Sequence, residues 1–181
     1  METIPADLRY PIGQPVLPLS PLTASERAMY IEQIAVLPAQ LTAAARKAGG
    51  IRLQNPCRPG GWTGRQVLHH VADVHFAFYM HFRIALTEDH PSIAKINPDA
   101  WAQLPDIETT PVTVSLTLLE ALHTRWTLLL WQLTDKQWQR SFFHPEDGRD
   151  YTLEQALVLY AWHGRHHLGR IESLIDTTKR V

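Results

Sequence analysis

The chain reads as an all-α protein, a four-helix bundle with an extended N-terminal arm. Three observations predict this. Four long segments carry apolar residues at three- and four-residue spacing, the period of a helix with one buried face. Three of the four open on Thr-x-x-Glu or Thr-x-x-Gln: Thr23 to Glu26, Thr63 to Gln66 and Thr152 to Gln155. In that pattern the hydroxyl and the acid or amide satisfy each other's orphan amides at a helix start. No stretch shows the apolar-polar alternation of a half-buried strand.

The length suits this architecture. The 181 residues are 45% apolar, enough for one domain whose core needs no disulfide or structural metal. We divide the chain into an arm, residues 1–22, and a bundle domain, residues 23–181. The arm carries Pro5, Pro11, Pro15, Pro18 and Pro21, which favour extended backbone. It also carries Leu8, Tyr10, Ile12, Val16 and Leu17, so it is expected to lie along the bundle surface.

The first helix starts at Thr23 and is expected to end at Gly49-Gly50, with Pro38 predicting a kink on the way. The second starts at Thr63 and runs to about Leu86. Val67, His70, Val71, Val74, Phe78 and Phe82 form its stripe, and His69 falls nearer its rim. Residues 88–110 form a long polar connection in which Trp101 and Leu104 are expected to pack down. The third helix begins near Thr110-Pro111, since proline suits the first helical position. Leu116, Leu119, His123, Trp126, Leu130 and Leu133 form its stripe. A short helical turn is expected at residues 135–140, and a loop at 142–149 with a hairpin turn at Asp147-Gly148. The fourth helix runs from Thr152 to about Ile175. Its inward face holds Ala156, Leu159 or Tyr160, His163, His167, Ile171 and Leu174.

Several function classes are excluded or disfavoured by composition. Lys plus Arg is 17 against 18 for Asp plus Glu, a net charge of −1. This lacks the basic excess of a nucleic-acid-binding domain. Cys57 is the one cysteine, so neither a disulfide framework nor an intrachain thiolate cluster for zinc exists. The N-terminus has no basic start followed by an apolar run, and no apolar run approaches the roughly 20 residues of a membrane span. The expected compartment is the cytoplasm.

The unusual abundance is histidine, ten in 181 residues. His163 and His167 stand four apart, where helix side chains share a face. His70 lies on the inward stripe of the second helix. Three imidazoles facing one core offer a shared divalent cation, while the alternative is hydrogen bonding to Asp73, Tyr160 or backbone. Three protein ligands with an open position describe a catalytic rather than a structural site. Such a centre acidifies water toward pKa ~7 or deprotonates a thiol. The H-E-x-x-H pattern is absent, because Gly164 follows His163, so no glutamate base stands on this helix.

Other residues carry weaker signals. Trp62, Trp126 and Trp162 either line a pocket beside the histidines or pack in the core. Arg125 would hold an anionic substrate or form a surface salt bridge. His166 would shuttle a proton or sit at the surface. His123 would add a ligand or be a satisfied core histidine. Asp73 would orient a ligand ring, and Glu146 or Asp147 would reach the mouth of the site. Cys57 reads as inert.

The segments Gly61 to Asp73 and Tyr160 to Leu168 resemble the first and last metal-ligand helices of the DinB/YfiT-like superfamily. Asp7 to Gly13, Ala85 to Asp89 and Ser115 to Trp126 resemble its YfiT branch. The resemblance implies a four-helix bundle holding one divalent metal ion per chain, zinc or nickel. It places the ligands on His70, His163 and His167. It implies a metal-dependent hydrolase acting on a small molecule, and in many members a homodimer. Relatives transfer low-molecular-weight thiols such as bacillithiol or mycothiol, so a thiol S-transferase is the alternative. A non-enzymatic metal-binding bundle and an apo structural bundle are further alternatives.

Overall fold

The computed structural model describes residues 9–175. The first eight residues of the expected arm, with Pro5 and Leu8, and residues 176–181 lie outside the described residues. Four long helices form the bundle: α1 (Ala24–Leu53), α2 (Gly64–Thr87), α5 (Val112–Leu130) and α7 (Leu153–Ser173). Three short helices lie between them, α3 (Pro98–Trp101), α4 (Asp106–Thr109) and α6 (Asp135–Trp138).

The local signals at the helix starts act as their chemistry requires. Thr23, Thr63 and Thr152 each accept a hydrogen bond from the amide three residues on, and the side-chain oxygens of Glu26, Gln66 and Gln155 accept one from the threonine amide. A fourth such box, Thr134 with Gln137, opens α6. Pro111 stands just before α5 rather than at its first position.

The interruption of α1 falls where its end was expected, at Gly49, but the helix then resumes. Helical dihedrals continue through Pro38, and the break falls at Gly49, with φ 73° and ψ 159°. That left-handed φ suits glycine, which has no Cβ to clash. The chain then makes one more turn, to Leu53.

Each helix packs mainly on two others: α1 on α5 and α7, and α2 on α5 and α7. Thus α1 and α2, consecutive in sequence, stand across the diagonal. Pairings give the directions. Arg27 meets Glu154, and Leu37 lies against Gly164, so α1 and α7 run parallel. His69 meets Ser115, and His75 meets His123, so α2 and α5 also run parallel. Gly64 packs beside Leu53 and Leu174, at the far end of both α1 and α7. This arrangement makes residues 88–111 the one connection that must travel the length of the bundle.

That connection is anchored differently from expectation. Leu104 is half exposed, while Ile93, Ala102 and Ile107 are buried. Residues 142–149, expected to be a loop with a hairpin turn at Asp147-Gly148, lie within a hairpin whose flanks are regular strands, β1 (Ser141–His144) and β2 (Arg149–Thr152). The two strands are antiparallel, with Phe142 opposite Tyr151. Residues beside Ser92 join its edge, where Phe143 donates to the Pro91 carbonyl and accepts from Ile93. Arg140 donates to the carbonyls of Ala85 and Glu88 and so closes the end of α2.

Residues 9–22 run back along α7. The carbonyls of Arg9, Gly13 and Pro18 accept from Arg170, Trp162 and Gln155 in turn. Glu154, buried in the first turn of α7, accepts from the Leu22 amide, Arg27 and Gln139. It ties arm, α1 and α7 together near the N-terminal end of α7. Among the described residues, no helix is long and apolar enough to cross a membrane.

The core has two apolar clusters. One gathers Phe82, Trp126, Leu157 and Tyr160, and the other Leu41, Val67, Leu119 and Ile171. Burying each large apolar side chain contributes roughly 1.5–3 kcal/mol. His75, His123 and His163 lie between the clusters along the helices.

Candidate metal centre

His70 lies in the second turn of α2, and His163 and His167 lie one turn apart on α7. These helices are antiparallel neighbours, so the early turns of α2 face the late turns of α7. Each histidine offers one ring nitrogen to a common site, and these nitrogens all lie within 4.8 Å of one another. The Nε2 atoms of His70 and His163 are 3.3 Å apart. Ring centroids are 4.7 Å apart for His70 and His167, and 4.5 Å for His163 and His167. His70 and His167 are buried and His163 is partly buried.

The electrostatics keep these rings neutral. Burial, then the Arg170 and His166 charges, pushes His70 down to about 3. Burial also drives His163 and His167 well below the ordinary imidazole range, with the neighbouring histidines next in effect. A neutral imidazole has one lone pair to give a metal. Nδ1 of His167 is buried without a hydrogen-bond partner. Such an orphan is costly unless something absent from the protein atoms completes it. The donor set fits a divalent cation, and imidazole suits zinc, nickel, copper or iron. Among the described residues, no carboxylate belongs to the group.

The surroundings sort the remaining expectations. Trp62 sets its ring edge-on to His70 at 4.6 Å. Trp126 is a fully buried core residue. Trp162 stacks on His166 and donates to the Gly13 carbonyl, so it holds the arm. His123 is a satisfied core histidine: its Nδ1 donates to the Ile34 carbonyl at 2.6 Å, and Nε2 meets His75 Nδ1 at 2.9 Å.

Four expectations need correction. His166 is buried rather than at the surface, and its Nε2 accepts from Arg170 Nε at 2.8 Å. Its lone pair is thus held by a permanent cation, and burial with Arg170 pushes its pKa to about 4. That argues against proton shuttling near neutral pH. Arg125 is exposed on α5 and stands outside the histidine group. Among the described residues it forms neither a site contact nor the expected ion pair. His69, expected near the rim, is buried and meets Ser115 Oγ at 2.8 Å. Glu146 and Asp147 sit in the hairpin turn, where Asp147 accepts from Tyr151. From that end of α7 to His163 is about eleven residues, or roughly 16 Å of helix.

Asp73 does not bond a ligand ring. The group that does is His75, whose Nε2 meets His163 Nδ1 at 3.1 Å. Sequence reasoning missed His75. The signal was present, since Val71, His75, Phe78 and Phe82 are spaced four, three and four. His81, also missed, is buried and bonded through Nδ1 to Tyr160 at 2.8 Å.

Comparison with known proteins places this geometry. The family model of the DinB superfamily matches residues 22–171. The chain belongs to the DinB superfamily. Proteins of Bacillus cereus (strain 03BB102) and Bacillus anthracis (strain CDC 684 / NRRL 3495) are each 46% identical over 168 residues. The match covers 93% of this chain and 95% of each relative, and both are named "Putative metal-dependent hydrolase". A solved structure of YfiT from Bacillus subtilis superposes with a TM-score of 0.89 at 42% identity. It covers 93% of this chain and 95% of that one. It is described as "a probable metal-dependent hydrolase with an unusual four-helix bundle topology".

Proposed function

We propose that this superfamily member is a metal-dependent hydrolase of a small molecule, with a divalent cation held by His70, His163 and His167. The observation that carries the reading is the convergence of three neutral imidazoles within 4.8 Å. The names of the relatives support the same class. Zinc and nickel are the cations we favour. When bound, such an ion supplies Lewis acidity, which polarises a carbonyl or phosphoryl oxygen and acidifies water. The chain's own part is to hold three ring nitrogens ready without protons to displace. Trp62 provides an apolar wall on the His70 side. The Arg170 guanidinium acts on all three rings and favours an anionic group nearby.

A second reading has one observation in its favour. No carboxylate accompanies the three histidines among the described residues, so a general base is missing from the group. A low-molecular-weight thiol transferred to an electrophile needs no such base, because metal coordination deprotonates thiols.

The test is metal content per chain by elemental analysis, for wild type and His163→Ala purified without a metal-binding tag. About one zinc or nickel ion per wild-type chain, lost in the variant, is expected. No uptake in either after incubation with both ions overturns the reading. A panel of esters, amides and phosphate esters, with and without added thiol, then separates the two chemistries. Chelator-sensitive turnover without thiol supports hydrolysis, and turnover only with thiol supports transfer.

A further inference from the structure

We propose that His123 and His75 form a one-way hydrogen-bond chain, anchored on the Ile34 carbonyl, that fixes the tautomer of His163 and presents its Nε2 lone pair to the cation. The inference rests on the metal-centre reading above. It makes His75 and His123 positioning residues that act through His163.

The direction follows from one atom. A carbonyl oxygen has no proton to give, so His123 Nδ1 donates to Ile34, at 2.6 Å. A neutral imidazole has one N–H, so His123 Nε2 is left as an acceptor. His75 Nδ1, 2.9 Å away, therefore donates. His75 Nε2 is then the acceptor, and His163 Nδ1 donates to it at 3.1 Å. The remaining nitrogen of His163, Nε2, carries a lone pair and lies on the side of His70. Reversing any ring would set two protons or two lone pairs face to face. His75 and His123 are almost fully buried, with 0% and 1% exposure, so no water replaces a lost partner. Fixing the tautomer of a ligand through the hydrogen bond of its other nitrogen is how surrounding groups tune a metal site.

Two features of the sequence are consistent with this chain. In a regular helix the Ile34 carbonyl would accept from the amide of residue 38. That residue is Pro38, which has no N–H, so this carbonyl lacks its regular partner and receives His123. Gly164 leaves room for the His75 ring, since a Cβ there would stand 3.2 Å from His75 Cε1.

The experiment has two arms. Long-range 1H–15N correlation spectra of the wild-type chain, metal-free and zinc-loaded, report which ring nitrogen of each histidine is protonated. The expected result is Nδ1–H on His123, His75 and His163 in both forms. A proton on Nε2 of any of the three in the metal-free chain overturns the proposal. In the second arm, zinc affinity is measured by competition with a chromophoric chelator for wild type, His75→Phe and His123→Phe. We expect His75→Phe to bind roughly 10- to 100-fold more weakly, with both His163 tautomers visible, and His123→Phe to lose less. A folded His75→Phe with wild-type affinity and one His163 tautomer overturns the proposal. If His75→Phe does not fold, the wild-type spectra decide alone. Failure of wild type to take up zinc or nickel sinks the metal reading instead, and the metal-free spectrum still decides the chain.

Discussion

At the scale of single residues, the protein spends its histidines on burial. His70, His75, His81, His123, His166 and His167 all lie in the interior. Two of them bear on stability away from the ligand rings. Burial pushes His81 down to about 4, with His144 adding to the shift, and it pushes His123 to about 4 against the Ile34 hydrogen bond. In the unfolded chain both titrate near 6.5. Between those values the unfolded chain binds more protons, so stability falls as pH is lowered. Each proton contributes about 1.4 kcal/mol per pH unit across that window. Asp73 has the opposite sign, because burial and then the Asp106 charge raise its carboxyl. One acid does not offset the buried imidazoles. The melting temperature is therefore expected to fall continuously from pH 6.5 to pH 4, and a flat profile there would contradict neutral rings.

At the scale of elements, α7 is the critical one. It carries two candidate ligands, begins with a capping box and packs on α1 and α2. Gly164 lets it approach α1, since a Cβ there would collide with the Leu37 side chain. Gly164→Ala should overpack this contact, at a steric cost of about 1–3 kcal/mol against a helix-propensity gain of about 1 kcal/mol. Gly50 offers the control, because a Cβ there meets nothing within 4 Å. Urea unfolding should show a lower midpoint for Gly164→Ala, and an unchanged or higher one for Gly50→Ala. A stable Gly164→Ala would mean that Leu37 yields easily. Helix starts were legible in the chain because capping is local, with all partners within four residues. The turn of the hairpin was legible at Asp147-Gly148, but its strands were not, because four residues are too short to show an alternation. The partner of the Ile34 carbonyl was not legible either: Pro38 has no amide to give it, and His123, 89 positions along, takes that place.

At the scale of the whole molecule, the parallel pairs α1–α7 and α2–α5 stand antiparallel to each other. The histidine group lies toward the C-terminal end of α7, and the hairpin lies at the opposite end. The arm runs along α7 from the histidine end, where Tyr10 lies 6.0 Å from the His166 ring, to the N-terminal end of the helix. A cation held between α2 and α7 would couple these helices in the folded state only. Ligand bound solely by the folded form stabilises by mass action, about 2.7 kcal/mol at a hundredfold excess over Kd. For a chain of this size that corresponds to roughly 5–10 °C. Excess chelator should lower the melting temperature of zinc-loaded protein by that much and leave His163→Ala unmoved. Equal curves for wild type with and without chelator would remove the cation from the fold's stability.

The sequence by itself determined the four helices, their starts and the inward direction of His70, His163 and His167. Those properties depend on period and on contacts a few residues apart. Only the tertiary structure decided that α1 and α2 face each other across the diagonal, that His166 is buried against Arg170, and that Arg125 stands apart. It alone joined Ile34, His123, His75 and His163 into one chain. These depend on which helix neighbours which, and helix faces can be packed in several orders that a pattern along one chain does not distinguish.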